Sequence, residues 1–225
     1  MAPSRSKVEP EKPYRPGIVA IIIDRTTGEV LVGKIHADRR KDIRHHWSLI
    51  EGGIDAGETP EAAARREAHE EVGLTAPILI ARSTREIRYR FDDRHPRYAG
   101  KSLTLVVLIV DSRNHQPDLD PGIDHEGPSF AEVRWLTADD AARFLSTNSA
   151  EGRRAFCEEL TAHIKDATQA LQRAQKAVGS QDVAAIIVAT QNNLVATGHY
   201  SATKTAQRPD SSPRAPSSLQ TSHPR

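Results

Sequence analysis

Residues 52–74 read GGIDAGETPEAAARREAHEEVGL, a glycine-rich turn followed by a segment that carries signals for both ends of a helix. Thr59 is a good N-cap, and Pro60 suits the first helical position, where its missing N–H is not needed. Gly73 is typical of a residue that ends a helix. The pattern therefore predicts a helix from about residue 60 to residue 72.

This helix carries an apolar stripe and an acidic arc. The stripe repeats every four residues at Ala64, Ala68 and Val72, and we predict that it is buried. The arc holds three acidic residues, Glu67, Glu70 and Glu71. Like charges at helical spacing cost about 0.2–0.5 kcal/mol per pair, so the arc favours a bound cation. Oxygen ligands favour Mg²⁺, with Mn²⁺ as the alternative. A solvated acidic helix face is the non-functional interpretation.

The spacing of the stretch is G-x5-E-x7-R-E-U-x-E-E-x-G-U, in which U is an aliphatic residue. Its fixed positions are Gly52, Glu58, Arg66, Glu67, Glu70, Glu71, Gly73 and Leu74. The spacing resembles the Nudix box, the signature of hydrolases that act on nucleoside diphosphates linked to another group. The resemblance implies an α/β/α sandwich, in which a mixed β-sheet carries the box helix on one face and further helices on the other.

The resemblance also implies roles for residues of the box. Glu67, Glu70 and Glu71 are expected to bind the metal, together with the carbonyl group of Gly52. Arg66 is expected to brace these carboxylates rather than to contact substrate. The implied reaction is attack of water on a phosphoanhydride, with the metal neutralising the phosphates and lowering the pKa of a bound water.

The general base must lie within hydrogen-bond reach of the attacking water. Glu70 and a later glutamate are the candidates. The family often supplies a further carboxylate at the position that is Ser129 in this chain. Glu126 is the preferred substitute for that carboxylate, and Glu132 is the alternative. Glu58 is expected to orient the glycine loop or an outer-sphere water.

Two flanking phrases resemble one branch of the family, the bacterial RNA 5′-pyrophosphohydrolases and the related diadenosine polyphosphate hydrolases. The phrases are YRP at residues 14–16 and WSLIEGGI at residues 47–54. In the second phrase, Ile50 replaces the usual proline and Glu51 the usual glutamine. A third phrase of that branch is expected after Gly100, but this chain keeps only the glycine.

Three residues outside the box are candidates for substrate binding, namely Lys34, Arg85 and Tyr89. Tyr89 is a candidate for stacking on a base, and cross-strand packing is the alternative. Arg85 is a candidate for contact with phosphates, and exposure to water is the alternative. A basic loop before Trp47 has the same two interpretations, phosphate capture or a solvated surface, and its cations are Arg39, Arg40, Lys41 and Arg44.

Three functional hypotheses follow. The first is Mg²⁺-dependent hydrolysis of a dinucleoside polyphosphate or of the 5′-triphosphate end of an RNA. The second is hydrolysis of (d)NTPs or nucleotide sugars by the same chemistry in a different pocket. The third is a non-catalytic Nudix-fold module that binds nucleotides and regulates a partner. The acids retained in the box favour catalysis over the third hypothesis.

Composition and length define the remaining organisation of the 225 residues. We predict a Nudix domain at 14–148 and a helical extension at 149–198, with disordered ends at 1–13 and 199–225. The net charge of +1 indicates no global attraction to nucleic acid. The single Cys157 excludes a disulfide framework within the chain and a cysteine-based zinc site.

Hydrophobic patterning predicts further elements along the chain. We expect a hairpin turning at Gly28 and strands at 47–54, 77–91, 103–110 and 128–136. Helices are expected after Thr137 and over 151–177, and residues 182–198 suit a helix or a strand. No apolar run approaches 18 residues, and no signal peptide is evident, so we expect a cytoplasmic protein without a membrane partner. No feature assigns an oligomeric state.

Overall fold

The structure is a computed structural model that describes residues 11–36, 47–91, 95–120, 122, 129–147, 153–179 and 181–203. Several predictions lie outside these residues: those on residues 1–10, on the basic loop before Trp47, on Glu126 and on residues 204–225. Within the described residues, no helix is both long and apolar enough to cross a membrane.

The described part of the chain forms nine strands and four helices. In chain order they are β1 (Tyr14–Asp24), β2 (Val30–Ile35), β3 (Trp47–Ser48), β4 (Ile50–Gly53), α1 (Pro60–Val72), β5 (Ile78–Ser83), β6 (Ile87–Arg90), β7 (Gly100–Val110), β8 (Phe130–Leu136), α2 (Ala138–Ser146), α3 (Arg154–Val178), α4 (Val183–Val195) and β9 (Tyr200–Ala202).

The strands form a mixed sheet with the order β3-β2-β1-β7-β5-β9. Its centre is the parallel pair β1 and β7, which runs from Tyr14 opposite Gly100 to Asp24 opposite Val110. The other pairings of described strands are antiparallel, and β4, β6 and β8 pair with β1, β7 and β2 respectively. The β1–β2 hairpin turns at Gly28, as predicted.

Helices cover both faces of this sheet. Each face of the sheet has its own hydrophobic core, and alternate residues of β1 pack into the two cores. Ile18 and Ile22 pack with α1, whereas Val19 and Ile21 pack with the helices on the other face. Because both sides of β1 and β7 are buried, the two strands read as almost continuous apolar runs instead of alternating ones. The predicted α/β/α sandwich is confirmed.

Helices α2, α3 and α4 share one core on the face opposite α1. Helix α3, which matches the helix predicted over 151–177, buries an apolar face that includes Phe156, Leu160, Ile164, Ala167 and Leu171. The segment whose pattern suits a helix or a strand is the helix α4. The helices that follow residue 148 therefore complete the second layer of the sandwich.

Two strands predicted as continuous are each divided. Residues 47–54 form β3 and β4, because β3 pairs with β2 whereas β4 pairs with β1. Residues 77–91 form β5 and β6, and both pair with β7. At the end of β5 the Ser83 hydroxyl oxygen accepts a hydrogen bond from the Leu105 N–H at 3.0 Å. A side chain thus satisfies a backbone donor of β7 where the pairing is interrupted.

Residues 199–203 lie in the predicted disordered tail, and that prediction is wrong for them. Tyr200–Ala202 forms β9, which pairs with the edge strand β5. Tyr200 is 2% exposed, and its hydroxyl group lies 2.8 Å from Nδ1 of His163 on α3. The Ser- and Thr-rich composition of the tail hides this one aromatic anchor.

We expect Tyr200→Ala to lower the free energy of unfolding by about 3 kcal/mol, because it removes a buried aromatic side chain. Chemical denaturation of the full chain measures this loss. Ser201→Ala, on the same strand with a partly exposed side chain, is the control and should stay within about 0.5 kcal/mol of the wild type. Equal stability of both variants would show that β9 contributes nothing to the domain.

Candidate active site

Helix α1 begins and ends where the sequence predicts. The Thr59 hydroxyl accepts a hydrogen bond from the Ala62 N–H at 3.2 Å, and Pro60 occupies the first turn. Gly73 ends the helix with φ of +67°, a left-handed conformation that costs glycine little. The apolar stripe is fully buried against the sheet. The caps fix where the helix begins and ends, and the buried stripe fixes its rotation about its own axis. Together they determine where the acidic side chains of α1 lie.

Arg66 is the centre of the acidic arc. A guanidinium group has five N–H donors, and here five hydrogen bonds are made. Nε and Nη2 donate to the two carboxylate oxygens of Glu58, each at 3.0 Å, and Nη2 also donates to the Gly53 carbonyl at 2.8 Å. Nη1 donates to Glu67 at 2.8 Å and to Glu70 at 3.0 Å. Arg66 therefore joins the helix to the glycine loop, as its predicted bracing role requires.

Glu58 has contacts that suit the predicted role of orienting the loop. Its Oε2 accepts a second hydrogen bond, from the Asp55 N–H at 3.0 Å, while it binds Arg66. Hydrogen bonds from Arg66 hold the pKa of Glu58 below its usual value. The same hydrogen bonds, and those to Glu67 and Glu70, raise the pKa of Arg66. The guanidinium therefore stays charged.

Gly52 lies directly against Glu67. A Cβ atom on Gly52 would stand 1.8 Å from the carboxyl carbon of Glu67, so any side chain at this position would force the Glu67 carboxylate to move. Gly52 is held there because β4 pairs with β1, where it lies opposite Ile18. The absence of a side chain is thus what allows the backbone to approach this carboxylate.

Glu67 is the most sheltered acid of the arc that contacts Arg66, with its side chain 13% exposed. Burial raises the pKa of Glu67, and the neighbouring charges of Glu70 and Glu58 add to this effect. Hydrogen bonding and the positive charge of Arg66 oppose it without cancelling it. Glu67 therefore carries a negative charge at an energetic cost, which a bound cation would reduce.

The chemistry of these donors fits a hard divalent cation, since all of them are oxygens. Glu67 Oε2 and Glu70 Oε1 make no hydrogen bond to the described residues, so each carboxylate keeps one oxygen for a metal. The predicted ligand set is not gathered around one point, however. No group of three acidic, His or Cys side chains in the described ranges could hold one ion, because Arg66 lies among Glu58, Glu67 and Glu70.

A cleft of about 190 Å³ lies beside α1, and the last acid of the box, Glu71, lines it. The other residues that line it are Ile35, Ser48, Leu49, Glu51, Lys101, Ser129, Phe130 and Arg153. Ser129 is thus at the cleft, as expected for the position where the family often has a carboxylate. The alternative acid Glu132 is not among the lining residues and is paired with Arg134 at 2.5 Å.

The wall of the cleft contains a buried cluster around Glu51. Its Oε1 accepts hydrogen bonds from Lys101 Nζ at 2.5 Å and from the Tyr89 hydroxyl at 2.9 Å. Its Oε2 lies 3.5 Å from Nη2 of Arg153. Burial alone would raise the pKa of Glu51, but the charges of Lys101 and Arg153 outweigh it and the pKa is lowered. Glu51 is therefore an anion inside the cleft wall.

The residues predicted to bind substrate are not gathered at this cleft. Tyr89 is 6% exposed, and its ring lies under the Arg153 guanidinium at 4.4 Å, which leaves little of the ring open for the predicted stacking on a base. Arg85 lines a separate hollow with His163 and His199. Lys34 lies on β2 opposite Trp47 and Glu132 and does not line the cleft, although its neighbour Ile35 does.

Sequence reasoning missed three residues of the cleft as site residues: Glu51, Lys101 and Arg153. Lys101 did carry a signal, because it lies in phase with the inward-facing Leu103 and Leu105 of β7, where a charge needs a partner. Arg153 stands at the start of α3, far from the box in sequence, and no local pattern distinguishes it from its neighbour in the chain.

We expect Arg66→Gln to lower the free energy of unfolding by about 3 kcal/mol at neutral pH, because it leaves three clustered carboxylates without their cation. Denaturant unfolding monitored by circular dichroism measures the loss. Arg65→Gln is the matched control, since Arg65 neighbours Arg66 on α1 without an ion pair to the described residues. A loss equal to that of the control would contradict the central role of Arg66.

Comparison with known proteins supports this description. A family model described as NUDIX domain matches residues 13–160. A protein of Photobacterium profundum named RNA pyrophosphohydrolase is 37% identical over 132 residues, 55% of this chain and 70% of that protein. The protein of the same name from Roseobacter denitrificans is 34% identical over 136 residues, 57% of this chain and 79% of that protein.

Solved structures resemble the chain at lower identity. The E. coli dihydroneopterin triphosphate pyrophosphohydrolase has a TM-score of 0.48 at 21% identity and covers 68% of this chain and 99% of its own. The binary complex of a C. elegans Ap4A hydrolase has a TM-score of 0.47 at 18% identity, covering 67% and 98%. Because the family model spans more than half of the chain, this protein belongs to the NUDIX domain family.

Proposed function

We propose that this NUDIX hydrolase cleaves a phosphoanhydride bond of a nucleoside polyphosphate and depends on Mg²⁺, for which Mn²⁺ can substitute. One observation carries the proposal: the Arg66 network holds Glu67, which lies beside Gly52, together with Glu70, on the helix whose Glu71 lines the cleft. The cleft also contains two cationic side chains, of a lysine and an arginine, which suit a substrate that carries several negative charges.

The substrate that we propose is the 5′-triphosphate end of an RNA, with dinucleoside polyphosphates as chemically equivalent substrates. Curated relatives named RNA pyrophosphohydrolase support the first, at 37% and 34% identity. The YRP and WSLIEGGI phrases support the same branch. In both substrates a water molecule attacks a phosphorus atom, and one phosphoanhydride bond breaks.

The bound metal supplies charge neutralisation at the phosphates and a more acidic water. The chain supplies the positioning. Glu67 is the proposed metal ligand that Arg66 orients, and the carbonyl group of Gly52 and the carboxylate of Glu71 would complete the set if these groups moved together around the ion. The oxygen of Glu70 that does not bind Arg66 is then left to accept a proton. Glu70 is the proposed general base. Its side chain is 31% exposed, which makes it the more exposed of the two acids of the arc that contact Arg66.

The activity test uses the full chain with and without Mg²⁺ on three kinds of substrate: 5′-triphosphate RNA, diadenosine tetraphosphate and the (d)NTPs. We expect metal-dependent release of pyrophosphate or a mononucleotide, fastest on the RNA. Glu70→Gln should lower kcat on the order of 100-fold or more, because a general base contributes about that factor.

Glu61→Gln is the matched control for this test. Glu61 lies in the first turn of the same helix, and its carboxylate pairs with Arg82 at 3.3 Å, away from the Arg66 network. The control should retain the wild-type rate. A wild-type chain that binds nucleotide but hydrolyses none of these substrates would favour the non-catalytic module, and preference for (d)NTPs would favour the pool-hydrolase hypothesis.

The raised pKa of Glu67 generates a prediction about stability without metal. A carboxyl group whose folded pKa is raised stabilises the fold below its unfolded pKa and loses that contribution as the pH rises through the folded value. Glu67→Gln lacks this loss. In EDTA, the free energy of unfolding of Glu67→Gln relative to that of the wild type should therefore be higher at pH 7 than at pH 4. The size of this difference should correspond to the rise in the pKa of Glu67 on folding.

Added Mg²⁺ should raise the Tm of the wild type and leave that of Glu67→Gln nearly unchanged, because a ligand stabilises only the fold that binds it. Thermal unfolding with and without the metal measures both effects. If Mg²⁺ raised the Tm of wild type and variant equally, Glu67 would be excluded as a ligand.

A further inference from the structure

Three elements that are distant in sequence bring the charges of the cleft wall together. Glu51 comes from β4, Lys101 from the start of β7, and Arg153 from the residue that precedes α3. Their side chains are 10%, 17% and 12% exposed, so the three charges are largely shielded from water. Ion pairs this sheltered are screened little by salt, and each charge strongly influences the others.

The two cations are held in different ways. Lys101 Nζ lies 2.5 Å from Glu51, a close charge-assisted hydrogen bond. Arg153 lies 3.5 Å from Glu51, beyond the usual length of such a bond, and its guanidinium is supported by the faces of Tyr89 at 4.4 Å and Phe156 at 5.6 Å. The aromatic faces fix the plane of Arg153.

Two cations and two carboxylates line the cleft. Lys101 and Arg153 both lie against Glu51, and Glu71 is the second acid of the lining. A phosphate group offers three acceptor oxygens and suits both ammonium and guanidinium donors. Glu71, on the proposed metal-binding helix, lines the same cleft, so an anion bound to the wall would lie next to that helix.

We propose that Lys101 and Arg153 bind a phosphate group of the substrate, and that Glu51 is a positioning residue that serves as their internal anion while the cleft is empty. This inference rests on the proposed function. Where the related phrase has a neutral glutamine, this chain places a carboxylate that competes with substrate phosphate for the same two cations. Glu51 thus stabilises the empty cleft and limits its affinity for phosphate.

The competition predicts opposite effects for the two kinds of substitution. Removing a cation removes a donor to phosphate, so Lys101→Met and Arg153→Gln should each weaken phosphate binding. Glu51→Gln removes the competing charge but keeps an oxygen that accepts from Tyr89 and Lys101. This variant should bind phosphate more tightly, although its empty form loses the anion that contacts both sheltered cations.

The test is calorimetric binding of inorganic pyrophosphate to the full chain in EDTA, so that it reports on the wall and not on a metal. We expect Lys101→Met and Arg153→Gln to weaken binding about tenfold, and Glu51→Gln to strengthen it about tenfold, as for one charge-assisted hydrogen bond. The rise in Tm caused by pyrophosphate should also be larger in Glu51→Gln than in the wild type.

Arg154→Gln is the matched control, because Arg154 follows Arg153 directly but lines a different hollow, between α2 and α3. It should bind pyrophosphate like the wild type. Lys101→Met leaves a buried carboxylate without its closest cation, and this variant can fail to fold. The double variant Glu51→Gln/Lys101→Met removes both charges and should bind about tenfold more weakly than Glu51→Gln alone.

Unchanged pyrophosphate binding in the Arg153→Gln and double variants would overturn the inference, as would weaker binding by Glu51→Gln. If the protein with these results still hydrolyses 5′-triphosphate RNA, the proposed function is retained and only the phosphate-binding role of Lys101 and Arg153 is rejected. If the protein shows the expected order of affinities but no hydrolytic activity, the phosphate-binding role is retained and the proposed function is rejected.

Discussion

The five hydrogen bonds of the Arg66 guanidinium are the constraint on which the site depends. They bind three carboxylates and one backbone carbonyl, and so fix the glycine loop to α1. A lysine at this position would supply one cation with three donors and could not reach all of these partners. The sandwich determines where the network forms. The buried stripe of α1 fixes the helix against the sheet, and the pairing of β4 with β1 fixes the loop beside it.

The carboxylates of Glu67 and Glu51 are charged groups in sheltered positions, which costs the fold stability. Glu67 is held against Gly52, where any side chain would displace its carboxylate, and burial raises the pKa of Glu67. On the cleft wall, Glu51 carries its charge only because Lys101 and Arg153 are close. Buried charges of this kind seldom stabilise a fold more than apolar residues would. The charges of Glu51, Lys101 and Arg153 in the cleft wall are therefore better explained by a charged ligand than by the needs of the core.

The helices after residue 148 connect the second layer of the sandwich to the cleft. Arg153 immediately precedes α3, and Phe156 in its first turn packs on Tyr89, which itself donates a hydrogen bond to Glu51. The core of the α3 face thus extends without interruption into the cleft wall. The ring of Tyr89, the candidate for stacking on a base, supports the Arg153 guanidinium. The orientation of that arginine therefore depends on how α3 packs on the sheet.

The amino-acid sequence by itself determined α1, its caps and its buried stripe. These follow from contacts within about a dozen residues and from the period of apolar side chains, so local spacing is sufficient. The layered architecture and the bracing role of Arg66 were implied by the resemblance of the box to a known family. Only the tertiary structure decided where Lys101 and Arg153 meet Glu51, where the predicted strands divide, and that Tyr200 anchors a ninth strand. Those features depend on the register between strands far apart in the chain and on the packing of α3, and no local pattern encodes either.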